Sequence, residues 1–417
     1  MLVWEKKLSI MKLRSVKKTL LCALLLALSL GATAQDNTGY GANDDQFKSL
    51  AEEVVKLKKS NDKFNVYFNY AASAQLDQDA SKDWSSHFAN RQLRIEVKGH
   101  LTDQLYYRFR HHLNKSNGAT SEDNFAKATD LMMLGYKVSD AWRVELGKMG
   151  QIWGGFEYDE NPLFIYQYSD FLSQMDIFVA GVTVAYTPTP TQEFAFEVSN
   201  SHSNKFADIY GENAMYEDGN GLNLKPLKPS RHPLTYIVNW NGSFFGDKLQ
   251  TRWACGIQGE ARKKYSRMVI LGQRLNLEKL QCYFDYVGSS DGVDRSGIAS
   301  KDMQTASPNV YSNNVWAAGV HYNTFVTKIN WQFTPRWNLM VKGMYETVNA
   351  KNIPSLKDYR KSYGYVGSVE YYPIKSQDLR VFLAYIDKKV RFTELSGLSN
   401  YNTNRIELGF MYRIKAY

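Results

Sequence analysis

Long apolar runs are almost absent from these 417 residues. Outside one stretch near the N-terminus, no segment approaches the roughly 20 apolar residues that a spanning helix requires, and mean hydropathy is −0.44. A polytopic helical membrane protein is excluded. Cysteine is scarce as well, with three in the chain and none at C-x-x-C spacing. Neither a disulfide framework nor a thiolate metal site can be built from that. Proline numbers only 10 while aromatic residues reach 14%, the reverse of a disordered chain. No H-E-x-x-H and no P-loop occurs, so the expectation is a protein that is not an enzyme and uses no cofactor.

What is present begins with a leader. Lys12, Arg14, Lys17 and Lys18 precede the apolar run 20–30, and Ala32-Thr33-Ala34 supplies small residues for a peptidase. That order predicts a signal peptide over 1–34, cleaved after Ala34. The run is about half of what a membrane anchor needs. Removal leaves 45 basic and 41 acidic residues and lowers the formal charge from +9 to +4. A nucleic-acid partner loses its main support. Cys255 and Cys282 are the cysteines that stay.

Residues 35–60 are expected to form a periplasmic, coiled-coil-like helical segment. Phe47, Leu50, Val54 and Leu57 follow 3-4-3 spacing, with Asp44 and Asp45 at the start and a basic last turn. Such a seam packs with copies of itself or docks on the rest of the chain; the first makes it an oligomer seam.

From Lys63 the period changes to 2. Leu93, Ile95 and Val97 alternate with Arg94, Glu96 and Lys98; Leu105, Tyr107 and Phe109 with Tyr106, Arg108 and Arg110; Trp253, Cys255 and Ile257 with Arg252 and Gln258. Tight turns at 102–104, 139–141, 188–192, 246–248, 276–278, 335–336 and 375–378 join segments in pairs. Longer connections at 74–90, 115–127, 151–175, 202–232, 288–313, 349–360 and 391–402, with a short exception near 262–266, alternate with them. The reading is all-β: a 16-stranded antiparallel transmembrane β-barrel over 61–417, with a short N-terminal periplasmic helix. Both cysteines fall on the outward face and should be free thiols. The last strand is out of phase: Lys415 and Arg413 occupy positions where alternate apolar residues are usual, which a bulge or an inward-turning end would reconcile.

Arg91-Gln-Leu-Arg94, Gly99-His-Leu101-Thr-Asp103 with Tyr107 and Arg108, and Leu146-Gly147-Lys148-Met149 leading to Trp153-Gly154-Gly155 resemble the phosphate-selective porin O and P family. The resemblance implies a trimeric porin of a Gram-negative outer membrane, a third outer loop folded into the channel, and basic residues along an anion path.

Symmetric pairing around 102–104 sets His100 opposite Tyr106, Lys98 opposite Arg108, Glu96 opposite Arg110 and Arg94 opposite His112. Arg94, Lys98, Arg108, Arg110, His112, Arg143, Arg252, Lys342 and Arg380 are the expected channel-lining cations, interspersed with inward glutamates. Loop 151–175 is too apolar for a solvated tip. Trp153, Phe156, Tyr158, Phe164, Tyr166 and Tyr168 make it the expected constriction, or a set of stacking surfaces for saccharides, the alternative being a cap on a trimer contact or a partner-binding surface. The function read from these features is passive diffusion of small hydrophilic solutes, anionic or saccharide, through a homotrimer embedded in lipid and lipopolysaccharide. The alternative is a non-conducting barrel serving as adhesin or secretion scaffold.

Overall fold

The computed structural model describes residues 63–118, 121–219, 224–374 and 376–416. The leader and the seam residues Phe47, Leu50, Val54 and Leu57 lie outside the described residues. Eighteen strands follow in chain order: β1 (Asn65–Gln78), β2 (Trp84–His100), β3 (Leu105–His112), β4 (Thr129–Lys137), β5 (Trp142–Gly150), β6 (Phe178–Thr189), β7 (Gln192–Asn200), β8 (Met215–Glu217), β9 (Lys225–Pro226), β10 (Leu234–Phe244), β11 (Leu249–Ala261), β12 (Lys264–Asn276), β13 (Leu280–Val293), β14 (Val315–Thr334), β15 (Trp337–Ala350), β16 (Arg360–Tyr371), β17 (Asp378–Phe392) and β18 (Tyr401–Lys415). Strands β8 and β9 form a small hairpin inside one long loop, with β8 running parallel to Val315–Ala317. The other sixteen pair antiparallel with their neighbours, β7 with β10 across that loop and β18 with β1, which closes the barrel.

Closure removes every sheet edge that a bilayer would leave unsatisfied. The alternation does the rest: Leu134, Leu146, Val238, Trp253, Phe284, Val341, Leu383 and Leu408 stay exposed on the outward face, while Arg94, Glu96, Arg252, Lys342 and Glu370 are buried inside. All seven expected tight turns separate the strand pairs they were read to separate. Cys255 and Cys282 are free, with Cys255 exposed.

Two expectations change. The connection read as 74–90 shrinks to a turn at 79–83, and the one read from 288 starts after Val293. Their sequences lose the apolar alternation because they rise above the lipid, yet ladder hydrogen bonds need no apolar side chain to continue. The final strand keeps an unbroken ladder with β1 and β17, without a bulge in either. Arg413 therefore points inward, within 3.6 Å of Glu96.

The wall is uneven. Strands β3, β4 and β5 have 8, 9 and 9 residues, whereas β2 has 17 and β14 has 20. At about 3.3 Å per residue and a tilt near 40°, eight residues rise only about 20 Å, short of an apolar band about 25 Å tall. Since β3 pairs with β2 only from Arg94 to His100, the upper half of β2 has a partner on the β1 side alone among the described residues.

Candidate channel wall and constriction

Between β5 and β6 the chain turns into the barrel at Gly154 and Gly155, whose φ values are 71° and 77°. A Cβ on Gly155 would stand 2.9 Å from Ile270 Cγ2, so handedness and space both call for glycine. Trp153, fully buried, donates its indole N–H to Gln151 Oε1 at 2.9 Å. Three single-turn helices, Phe156–Asp159, Pro162–Phe164 and Asp170–Ser173, carry the loop across the lumen.

Charge holds it there. Glu157 meets Lys342 at 2.6 Å, Asp159 meets Arg252 at 3.4 Å, and Glu160 pairs with Lys328. Asp170 is clamped by Arg360 at 3.0 Å and Lys388 at 2.5 Å. Burial alone would raise the Asp170 carboxyl, but Lys388 and Arg360 hold it below the usual carboxylate range. Wall carboxylates answer the loop's backbone donors: Asp285 accepts the N–H groups of Phe156 and Glu157 at 2.8 and 2.7 Å, and Glu346 those of Asp170 and Phe171 at 2.6 and 3.0 Å. These are charge-assisted bonds in a buried setting, where breaking one partner is costly.

Arg91 fastens the far end. It is the extra residue of a β-bulge opposite Ala71 and Ala72, and the bulge turns its side chain to the lumen. There it donates to the carbonyls of Ile165 and Tyr166 at 2.8 and 3.3 Å, and its Nε lies 3.3 Å from Glu407. The Tyr166 hydroxyl donates to Glu370 at 2.9 Å while its ring meets Phe382 edge-on, with 4.9 Å between centroids. Phe156 stacks on Tyr283, and the Arg380 guanidinium lies 3.9 Å over the Phe164 ring.

Of the cations expected to line the channel, Arg252, Lys342 and Arg380 thus serve as anchors. Arg380 also meets Glu370 at 3.3 Å. Of the six loop aromatics, Trp153, Phe156, Phe164 and Tyr166 bury their faces against the wall, leaving Tyr158 and Tyr168 half-buried beside open space. Stacking surfaces for saccharides are mostly used up.

The opposite wall pairs as read from sequence: Arg94 with His112, Glu96 with Arg110, Lys98 with Arg108 and His100 with Tyr106. Its charges are offset more than expected. Arg108 reaches Glu96 at 2.9 Å, and Asp130 gathers Arg94 at 3.5 Å, Arg110 at 3.2 Å and His112 at 3.1 Å. Lys98 lies 5.4 Å from the centroid of the Tyr67 ring. Arg143 pairs with Glu193 and lies 3.5 Å from Glu145. Asp130 had no sequence signal, because it opens β4 at the edge of what read as a loop. Between this wall and the folded loop lies a cavity of about 440 Å³, bordered by Arg94, Arg108, Arg110, Lys115, Lys127 and Lys148, with Asp130, Glu145, Asp159 and Glu160 among the acids and Tyr168 on the loop side.

Residues 288–292 have G-x-S-x-G spacing, but Ser290 sits exposed within the β13 ladder instead of on a strand-to-helix turn, so no nucleophile is presented.

Residues 64–414 match the phosphate-selective porin O and P family. The chain belongs to that family. No curated protein matches it by sequence. Among solved structures it is similar to the outer-membrane channel DcaP of Acinetobacter baumannii (TM-score 0.56, 11% identity, covering 86% of this chain and 99% of that one). It is similar also to the anion-selective porin from Comamonas acidovorans (0.54, 8%, 84% and 99%), and to OmpT of Vibrio cholerae in a trimer form (0.51, 12%, 85% and 100%). This porin is an outer-membrane diffusion channel; its family and fold are those of a channel rather than of an enzyme.

Proposed function

We propose that small hydrophilic anions cross this porin along the wall formed by β2 to β6. The observation that carries the reading is the division of the lumen. The folded loop spends its carboxylates on Lys342, Arg252, Lys328, Arg360 and Lys388, which leaves the open cavity beside Arg94, Arg108 and Arg110. Low-dielectric walls focus the field of such groups on a passing ion. Phosphate is one candidate anion. Saccharides fit less well, since only Tyr158 and Tyr168 offer partly open rings.

The rest of the molecule's organisation follows the same reading. The signal peptide leaves after Ala34, residues 35–60 form the periplasmic helical segment, and the barrel begins thereafter. A homotrimer is supported by the short strands β3 to β5, which are too low to face lipid alone and carry exposed Leu134, Tyr136, Trp142 and Leu146 outward. Lipid and lipopolysaccharide surround the taller strands.

The test is the reversal potential of detergent-purified protein in a planar bilayer under a KCl gradient, followed by phosphate addition. Stepwise conductance with a chloride-sided reversal potential is expected, and inhibition by phosphate would name phosphate as a solute. A cation-sided or zero reversal potential would refute the anion route.

A further inference from the structure

Most cations beside the cavity are already answered by a carboxylate. Arg108 has Glu96, Arg94 and Arg110 share Asp130, and Lys148 holds Asp123 at 2.9 Å. A compensated pair is close to a dipole, whose field fades faster with distance than that of a lone charge. Two lining cations differ. Lys115 and Lys127, both exposed on the loop joining β3 to β4, have no carboxylate within 4 Å among the described residues, although Asp130 acts on Lys115 from farther off.

That loop is tied down rather than left to wave above the mouth. Lys148 grips Asp123 from below and lies 5.4 Å from the Phe125 ring centroid. The Glu122 N–H donates to the Ser203 carbonyl at 2.7 Å, and Ser121 bridges to Asn204 on the loop after β7. At its start, Asn117 Oδ1 lies 3.0 Å from His111 Nε2. These contacts hold the described parts of the loop beside the cavity that Lys115 and Lys127 border. Glu122 is exposed on the same loop but does not border the cavity.

We infer that Lys115 and Lys127 are the residues that set the channel's charge preference. The inference rests on the proposed anion route and assigns its selectivity to this loop instead of to the wall arginines. A unit charge about 8 Å from a passing ion in water, screened over about 10 Å at moderate salt, raises a local anion and lowers a local cation by roughly 1.5-fold each. Each lysine should thus contribute a factor of about two to the chloride-over-potassium permeability ratio, and the pair about four.

The experiment compares the unsubstituted protein with the double variant Lys115→Gln/Lys127→Gln by reversal potential in low and high KCl. Lys228→Gln/Arg231→Gln, on the loop after β7 and away from the cavity, is the control. Both lysines are exposed, so the barrel should fold; heat-modifiable mobility on gels checks this. The expected result is a permeability ratio about fourfold less anionic at low salt, a difference that shrinks at high salt, and no change in the control. An unsubstituted channel that prefers anions, together with a double variant that prefers them equally, would overturn the inference while leaving the proposed function standing. An unsubstituted channel without anion preference would sink the proposed function. The assignment of the lysines would then stand or fall on whether the double variant still shifts the ratio toward potassium.

Discussion

Replacing Arg91 by alanine should loosen the constriction without unfolding the barrel. The substitution removes donors to two loop carbonyls, those of Ile165 and Tyr166. The Tyr166 carbonyl keeps a donor, since Arg405 reaches it at 3.0 Å. The loss is that of the Ile165 bond, about 1–3 kcal/mol, reduced where channel water can reach it. Glu407 would not be stranded, because Arg405 remains 2.5 Å away and Ser73 still donates to it at 3.4 Å. The ladders of β2 with β1 and β3 do not involve the Arg91 side chain. The loss therefore falls on the docking of the loop, whose undocked population should rise roughly 5- to 150-fold. Single-channel recording reads this as larger conductance with more open-channel noise, while heat-modifiable mobility and reversal potential stay nearly constant. Arg91→Lys keeps a charge for Glu407 but lacks the planar fork, and should fall between. An Arg91→Ala channel as quiet and as narrow as the original would refute the argument that this bulge holds the loop.

Three further outcomes follow from the same geometry. Gly155→Ala forces a Cβ to within 2.9 Å of Ile270 Cγ2 at φ 77° and ψ 156°, and should destabilise loop docking by about 1–3 kcal/mol, seen as the same noisy conductance. Asp170, whose carboxyl is held below the ordinary range by Lys388 and Arg360, contributes docking free energy that is fully present above the ordinary carboxylate value of about 3.9 and is lost as pH falls through its lowered value. The share of docking that Asp170 supplies should therefore hold from neutral pH down to that value and be lost only in stronger acid, whereas Asp170→Asn should show the loosened behaviour at neutral pH. Leu134→Asp with Leu146→Asp, on the low wall, should convert trimers to monomers on semi-native gels; unchanged trimers would move the subunit contact elsewhere on the barrel.

The barrel was legible because its physics is local. Alternation declares which residues face lipid, and tight turns punctuate it, so the pairing of Lys98 with Arg108 and of Arg94 with His112 followed from one hairpin centre. The loop 151–175 was legible as too apolar to be solvated. What it would be pinned to was not. Arg91 lies in phase with Leu93 and Ile95 and reads as outward until a bulge shifts it, and a bulge leaves little trace in a single sequence. Its signal was the short family motif alone. Likewise, nothing in the run 156–170 tells that Glu157 will meet a lysine nearly two hundred residues later, because barrel closure and loop folding bring together residues that no periodicity connects.

That distant pairing explains why a mixed lumen is not a bland one. Inward cations and carboxylates are interspersed around the barrel, and a count of them implies a weakly charged, water-filled pore. Position sorts them instead. Along β11 and β14 to β17, Arg252, Lys328, Lys342, Arg360 and Lys388 are matched to acidic loop residues, while Asp285 and Glu346, on β13 and β15, are matched to loop N–H groups. This side of the lumen is the bed of a folded loop. Along β2 to β5, Arg91 apart, the ion pairs among the described residues are with other wall groups and with Asp123 of the β3–β4 loop rather than with the folded loop, and the cavity lies beside them. The same residue types thus do two jobs, and the boundary between them is the loop itself: moving it fully off its bed, farther than Arg91→Ala should, would expose anchoring cations to permeating ions as well as widening the path. Conductance would rise first, and any gain in anion preference would appear only in variants whose loop has left its bed.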